Sequence, residues 1–180
     1  NWQCAIAEAA FLTGVERNAD VVNMASYAPL FAHAEGWQWT PDMIWVDNTK
    51  VYGTPNYYVQ KLYALYKGTN VVDIKAGNKI IAGQDSLYAS AVVDQKSNEL
   101  IIKVVNASNQ PQTRSLQVKT AKKLASTGIQ TSISNSLSAV NTFEAATNVA
   151  PLDERITVKG KNVSVAMKPY SFNVVRIALK

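Results

Sequence analysis

MASYAPLFAHAEGWQWTPDMIWVDNTKVYGTPNYY (Met24–Tyr58) gathers the only histidine and three of the four tryptophans of the 180-residue chain into one segment. Apolar residues Val21, Val22 and Met24 run into a loop holding His33, Glu35, Trp37, Gln38 and Trp39. Flat apolar faces and hydrogen-bonding tips thus concentrate where regular backbone order is weakest, and loops carried on a rigid scaffold are where binding chemistry concentrates. The stretch reads as the wall of a site, and its flanks decide the architecture.

Upstream, Ala5, Ile6, Ala9, Ala10, Phe11 and Leu12 recur at helical spacing, and Ala and Glu supply helix propensity, so Trp2 to Arg17 is expected to be a helix. Asn18-Ala19-Asp20 breaks it, and the β-branched and apolar residues of Val21 to Tyr27 predict a strand. A long connection to Gly53 follows, with a short strand expected at Met43 to Val46. Thr54-Pro55 then opens a second helix, Thr as N-cap and Pro at the first helical position, running to Lys67 and ended by Gly68.

From Thr69 the apolar period changes from helical to two, and tryptophan disappears. Leu87 to Asp94 and Glu99 to Asn106 flank a Gln95–Asn98 turn as a β-hairpin. Further strands are predicted at Val71–Ile74, Arg114–Thr120, Ile129–Ser134, Ile156–Lys159, Val163–Met167 and Phe172–Leu179, with an irregular surface crossing over Ser132–Ala146. That spacing predicts an antiparallel sandwich. Charge changes at the same place: residues 1–67 hold four basic and six acidic side chains, residues 68–180 fourteen and seven. The expected organisation is therefore 1–67 as an incomplete α/β piece, with too little sheet to cover its helices, and 68–180 as a β-sandwich.

Composition excludes several functions. No apolar run reaches the roughly 20 residues of a membrane span. The lysines are scattered singly along alternating strands apart from Lys122-Lys123, which describes a solvated face rather than a nucleic-acid surface. One histidine and one cysteine cannot form the usual zinc sets, the carboxylates lack EF-hand spacing, and no phosphate loop or Gly-x-Ser-x-Gly motif occurs, so neither metal nor cofactor is expected. Cys4 reads as a small apolar residue buried on the first helix. The chain starts inside a helix with no signal-like segment, which reads as a piece of a longer protein.

Glu35, Asp42 and Asp47 lie in the aromatic loop and are open to reading as a glycosidase carboxylate pair, but turn and loop-tip roles fit their neighbours better. Trp37, Trp39, Trp45 and Tyr27 offer faces for the C–H side of a sugar ring, with His33, Gln38 and Asn48 to bond hydroxyls. The competing reading puts Trp45 and one other tryptophan in the core and gives His33 a structural role.

Asn18-Ala-Asp-Val-Val, Met24-Ala-Ser-Tyr-Ala-Pro-Leu-Phe, Trp39-x-Pro-Asp-x-Ile and Tyr52-Gly-Thr-Pro-x-Tyr-Tyr-Val-Gln together resemble the end of the barrel in family-51 α-L-arabinofuranosidases. The closing Lys168-Pro-Tyr-Ser-Phe-Asn-Val-Val-Arg resembles the last strand of that family's C-terminal sandwich. The resemblance implies a mixed fold, the terminal β/α elements of a TIM barrel followed by an antiparallel all-β sandwich, with Val21–Tyr27 as eighth strand and Thr54–Lys67 as eighth helix. It implies a retaining glycosidase acting on arabinan or arabinoxylan whose two catalytic glutamates precede this chain, so that neither Glu8 nor Glu16 matches them. The loop from Ala28 to Gly53 would line the arabinose pocket, and the substrate-binding candidates are His33, Tyr27, Trp39, Trp37 and Asn48. Some bacterial members carry a substrate-contacting glutamine where this chain has Pro29; it follows the Ser-Tyr-Ala-Pro-Leu-Phe form of plant-like members. The implied partners are an arabinose-containing saccharide and the upstream barrel of the same polypeptide, with neither nucleic acid nor membrane; a homo-oligomer is compatible with this, as is a periplasmic or secreted location. The alternative is a noncatalytic carbohydrate-binding or structural sandwich module.

Overall fold

The computed structural model describes all 180 residues. Helix α1 spans Trp2–Arg17, as its spacing predicts. A helix leaves its first N–H groups without internal partners, and here each finds one. The Asn1 side chain accepts from the Cys4 N–H at 3.1 Å, and the Trp2 and Gln3 N–H groups donate to the carbonyls of Ala139 and Leu137 at 2.8 and 2.9 Å. The start of α1 is therefore capped by the loop at Leu137–Ala139, far away in sequence.

A small three-stranded sheet follows: β1 (Phe31–His33) pairs parallel with β2 (Ile44–Val46), which pairs antiparallel with β3 (Val51–Gly53). Helix α2 covers Pro55–Leu65. The Thr54 hydroxyl does not cap it but donates to the Met43 carbonyl at 3.0 Å, tying the helix start back to the strand region. The strand expected at Val21–Tyr27 is not formed: the segment has no ladder partner, and Met24 in it is 85% exposed. A strand exists only where a neighbour accepts its N–H and C=O groups, and nothing in this chain lies alongside. Cys4 is exposed, not buried, because it sits on the outer face of α1 away from Trp2, Ala5 and Ala9.

Then come β4 (Asn70–Val72), a tight hairpin of β5 (Lys75–Ala76) and β6 (Lys79–Ile80), β7 (Leu87–Asp94), β8 (Glu99–Asn106), β9 (Gln112–Gln117), β10 (Thr127–Ser134), β11 (Leu152–Lys159), β12 (Asn162–Met167) and β13 (Ser171–Ala178). Eight of these form one antiparallel ladder in the order β4-β7-β8-β13-β10-β11-β12-β9. The ladder curls so that Val163, Val165 and Met167 of β12 share an apolar cluster with Leu100, Ile102 and Val104 of β8 and Val175 and Ile177 of β13, strands to which β12 is not hydrogen-bonded. This is the sandwich-like layer pair that the period-two pattern predicts.

The other face of the same strands is covered by the helices. Side chains alternate along a strand, so on β8 Ile101, Lys103 and Val105 point opposite to Ile102 and Val104. Ile101 and Val105 join Val92, Ile133, Phe172 and Val174 in a second cluster with Trp2, Ala5, Ile6, Ala9 and Leu12 of α1 and Val59, Leu62 and Tyr63 of α2. Tyr63 stacks on Phe172 with ring centroids 5.2 Å apart and planes 6° from parallel. Lys103, fully buried at the centre of β8, donates to Glu16 of α1 at 2.5 Å and to the Tyr66 carbonyl at 2.6 Å. No helix is long and apolar enough to cross a membrane.

Gly68, between α2 and β4, takes φ +64°, and a Cβ there would lie 2.5 Å from Val92 Cγ2. Both the left-handed backbone and the contact require glycine. A Gly68→Ala variant is expected to lose about 2–3 kcal/mol, the left-handed cost plus displacement of a core valine, measured by urea unfolding. A loss within about 0.5 kcal/mol, typical of a surface change, would mean that the junction is not so constrained.

Candidate functional site

The loop that the sequence marks as a site wall is held on the three-stranded sheet. His33 ends β1. Its Nδ1 accepts the Glu35 N–H at 3.3 Å, so the ring proton belongs on Nε2, which lies 3.3 Å from Asn48 Oδ1 and donates to it. The Asn48 amide NH2 has no protein acceptor and is exposed, leaving donors free beside the ring. Asn48 itself is placed by the β2–β3 turn, where Asp47 Oδ1 accepts from the Thr49 N–H and the Lys50 N–H, both at 2.6 Å. Those two backbone donors hold the exposed Asp47 carboxyl below its ordinary pKa.

Trp37 stands edge-on to Trp45, centroids 5.9 Å apart at 69°, beside the same sheet. Trp37 is half exposed and Trp39 is 67% exposed, whereas Trp45 is half-buried. The fully buried tryptophan is Trp2. Tyr27 is half-buried in a different neighbourhood: burial first, then the negative charge of Glu8, Cys4 and Asp42, raises its phenol pKa. No hydrogen bond joins Tyr27 or Trp39 to the His33–Asn48 pair. Of the five candidates, His33 and Asn48 are brought into direct contact, Trp37 shares their sheet through Trp45, and Tyr27 and Trp39 stand apart.

The carboxylates of the loop are differently placed. Glu35 is exposed, Asp47 is spent on its turn, and Asp42 is 3% exposed with Oδ2 lacking any hydrogen-bond partner. Glu8 of α1 accepts from Asn56 and Gln60 of α2, which clasps the two helices, and burial raises its pKa above the ordinary value. No group of three or more His, Cys, Asp and Glu side chains is placed to hold a metal.

One supporting residue escaped the sequence reading. The sequence predicts a surface crossing over Ser132–Ala146; Ser132–Ser134 instead finish β10, and the rest is irregular, yet Asn141 within it is buried. Its amide donates to the Gly53 carbonyl at 2.8 Å and to the Val149 carbonyl at 3.0 Å, while its Oδ1 accepts the Val149 N–H at 2.7 Å. Phe143 meets Tyr52 edge-to-face at 4.8 Å in the same place. A sandwich loop thereby fixes the last strand of the site sheet. Asn141→Ala removes the side-chain partner of three backbone groups, the buried N–H and C=O of Val149 and the half-buried C=O of Gly53, and a loss of about 2–3 kcal/mol is expected, with amide exchange at Tyr52 and Gly53 accelerated. Unchanged protection there would remove Asn141 from this role.

A curled antiparallel sheet with two helices on one face and a small aromatic-rich sheet at the helix side defines the chain as a helix-covered β-sandwich domain. The family model for the α-L-arabinofuranosidase C-terminal domain matches residues 1–171, and the chain belongs to that family. Among curated proteins it is 29% identical over 174 residues to alpha-L-arabinofuranosidase 1 of Arabidopsis thaliana, covering 93% of this chain and 25% of that protein. It is 51% identical over 75 residues to an extracellular exo-alpha-L-arabinofuranosidase of Streptomyces chartreusis, covering 42% of this chain and 9% of that protein. An arabinose-bound GH51 α-L-arabinofuranosidase structure superposes with TM-score 0.89 at 32% identity, over 100% of this chain and 28% of that one. The Thermotoga maritima enzyme, at 20% identity and TM-score 0.71 over 96% of this chain and 38% of its own, shares the fold. The chain thus spans about a quarter of the length of the plant relative.

Proposed function

We propose that the chain is the C-terminal part of a retaining α-L-arabinofuranosidase, releasing terminal arabinofuranosyl residues from arabinan or arabinoxylan. The observation that carries this reading is the superposition of the entire chain, at 32% identity, on a GH51 enzyme that binds arabinose. In such a double displacement one carboxylic acid protonates the leaving oxygen while a carboxylate attacks the anomeric carbon, and water then releases the sugar with the first residue acting as base. Those two glutamates lie in the N-terminal portion of the longer protein. No carboxylate of this chain is assigned a step.

Residues 1–67 are the last helices and strand of the (β/α)8 barrel, and residues 68–180 are the sandwich. Val21–Tyr27 takes its ladder partners from the preceding barrel strands, which accounts for the exposure of Val21, Val22 and Met24. Active sites of such barrels lie at the C-terminal ends of the strands, where the loop after Tyr27 leaves. There the His33–Asn48 pair with Trp37 beside it forms one stretch of the sugar pocket's wall, and Tyr27 and Trp39, which stand apart from that pair, form other stretches of it: the free amide donors of Asn48 bond hydroxyls, and the exposed indoles take the apolar ring face.

The test compares this chain with the longer protein on an aryl α-L-arabinofuranoside. Turnover is expected only from the longer protein; turnover by the 180-residue chain would overturn the placement of the catalytic carboxylates. In the longer protein His33→Ala is expected to lower kcat/KM by about 1–3 kcal/mol of transition-state stabilisation. Unchanged kinetics with a lowered Tm would return His33 to a structural role.

A further inference from the structure

The curled sheet encloses a cavity of about 330 Å³ on the face away from the helices. Its floor is aliphatic: Ile74, Leu87, Val104, Leu116, Val165 and Met167. Val104 reaches it from the opposite side of β8 to Lys103 and Val105, so the thickness of the sheet separates this cavity from the helix layer and the aromatic loop. No aromatic side chain lines it, which removes the stacking faces that a sugar ring would use. The rim is polar and mainly cationic. Lys75 and Lys79 come from the β5–β6 hairpin and Arg114 from edge strand β9; Gln84 and Asp85 also line the mouth. Lys75 is paired with Asp73 at 2.6 Å, and Arg114 with Asp85 at 3.2 Å through side chains 45% and 75% exposed, a weak pair in water. Lys79 is in no ion pair. Asp85 and Ser86 both adopt left-handed backbone, φ 56° and 58°, after Gly83 at 122°; such conformations in non-glycine residues cluster at ligand clamps.

We infer that this cavity is a second binding site, for a small amphipathic carboxylate whose alkyl or aryl body fills the aliphatic floor and whose anion rests between Lys79 and Arg114. The volume falls within the range of small-molecule sites. The aliphatic floor selects an apolar body, and the cationic excess at the mouth selects an anionic head; a neutral alcohol of the same shape would gain the first but not the second. The site stands whether or not the aromatic loop binds arabinose.

The experiment titrates the 180-residue chain with trans-cinnamate and, separately, with its neutral analogue cinnamyl alcohol, following methyl resonances by NMR. Saturable shifts are expected at the methyl groups of Ile74, Leu87, Val104, Leu116, Val165 and Met167, and not at those of Ile6, Val59 or Leu62 in the helix layer. Lys79→Gln, an exposed change that does not disturb the core, is expected to weaken cinnamate about two- to fivefold and leave the alcohol unchanged. Raising salt to about 0.5 M is expected to do the same. Leu116→Trp, which fills the cavity, is expected to abolish binding of both. Shifts that do not saturate, shifts spread equally over the helix-layer methyls, or equal effects of Lys79→Gln on acid and alcohol would overturn the site. Should Leu116→Trp fail to fold, Lys79→Gln and the salt dependence decide alone.

Discussion

A Glu16→Ala variant is expected to lose about 3–5 kcal/mol of stability at neutral pH, the usual consequence of leaving one member of a buried ion pair alone. Glu16 is the only carboxylate that meets the Lys103 ammonium, at 2.5 Å; its other oxygen accepts from Ser90 at 2.5 Å, and the Tyr63 ring lies 5.2 Å beneath the ammonium. Burial pushes the Lys103 pKa below the ordinary lysine value, and the charge and hydrogen bond of Glu16 oppose that push. Without Glu16 the desolvation loses the charge that opposes it, the Tyr66 carbonyl alone still accepting from the ammonium, and the folded-state pKa falls further.

The sign of the pH effect follows. A lysine whose folded pKa lies below its unfolded value of about 10.4 binds fewer protons when folded, so stability rises as pH increases through the folded pKa toward the unfolded one. Glu16→Ala is therefore expected to recover part of its loss between neutral pH and about pH 10, in urea titrations at each pH. The double replacement Glu16→Leu with Lys103→Met removes both charges and is expected to cost far less than the two single changes added together. Additive losses, or a variant no better at alkaline pH, would show that the pair is not what joins α1 to β8.

Trp2→Ala is expected to cost about 3–5 kcal/mol, the range for deleting a fully buried aromatic side chain. Trp2 is 0% exposed at the first position of α1, and its indole N–H donates to the Tyr170 carbonyl at 2.7 Å. Tyr170 itself sits at φ 47°, between β12 and β13. Truncation would open a void beneath the helix start and leave that carbonyl unpaired. Trp2→Phe keeps most of the apolar volume and is expected to cost about 1–3 kcal/mol, mainly the orphaned carbonyl. Equal losses for the two variants in urea unfolding would mean that the hydrogen bond, not the packing, carries the effect.

The helices and the long hairpin were legible because their signals are local. Ala and Leu spacing sets α1, Thr-Pro sets the start of α2, and alternation around Gln95–Asn98 sets β7 and β8, whose bounds match the expectation residue for residue. Val21–Tyr27 has the composition of a strand but no ladder, because composition says nothing of whether a neighbour is present. The short strands β1 and β3 were missed: three residues are too few to show a period, and their pairing is fixed by the tertiary position of β2. In the site, the His33–Asn48 contact joins residues 15 apart through a parallel and an antiparallel pairing that no sequence spacing announces. Asn141 was hidden for a related reason. A polar residue in a Ser- and Asn-rich stretch looks solvated until the backbone groups that it must satisfy are known.

The packing of α1 onto the main sheet bears on how such proteins can be recombined. A chimera spliced at Gly68 would bring the helices of one parent against the sandwich of another, and it inherits a lock with several keys: Glu16 must meet Lys103 and Ser90, Arg17 must reach the Ala89 carbonyl, Trp2 must find Tyr170, and Gly53 must find Asn141. Swapping sandwiches between relatives therefore calls for co-transplanting those contact residues.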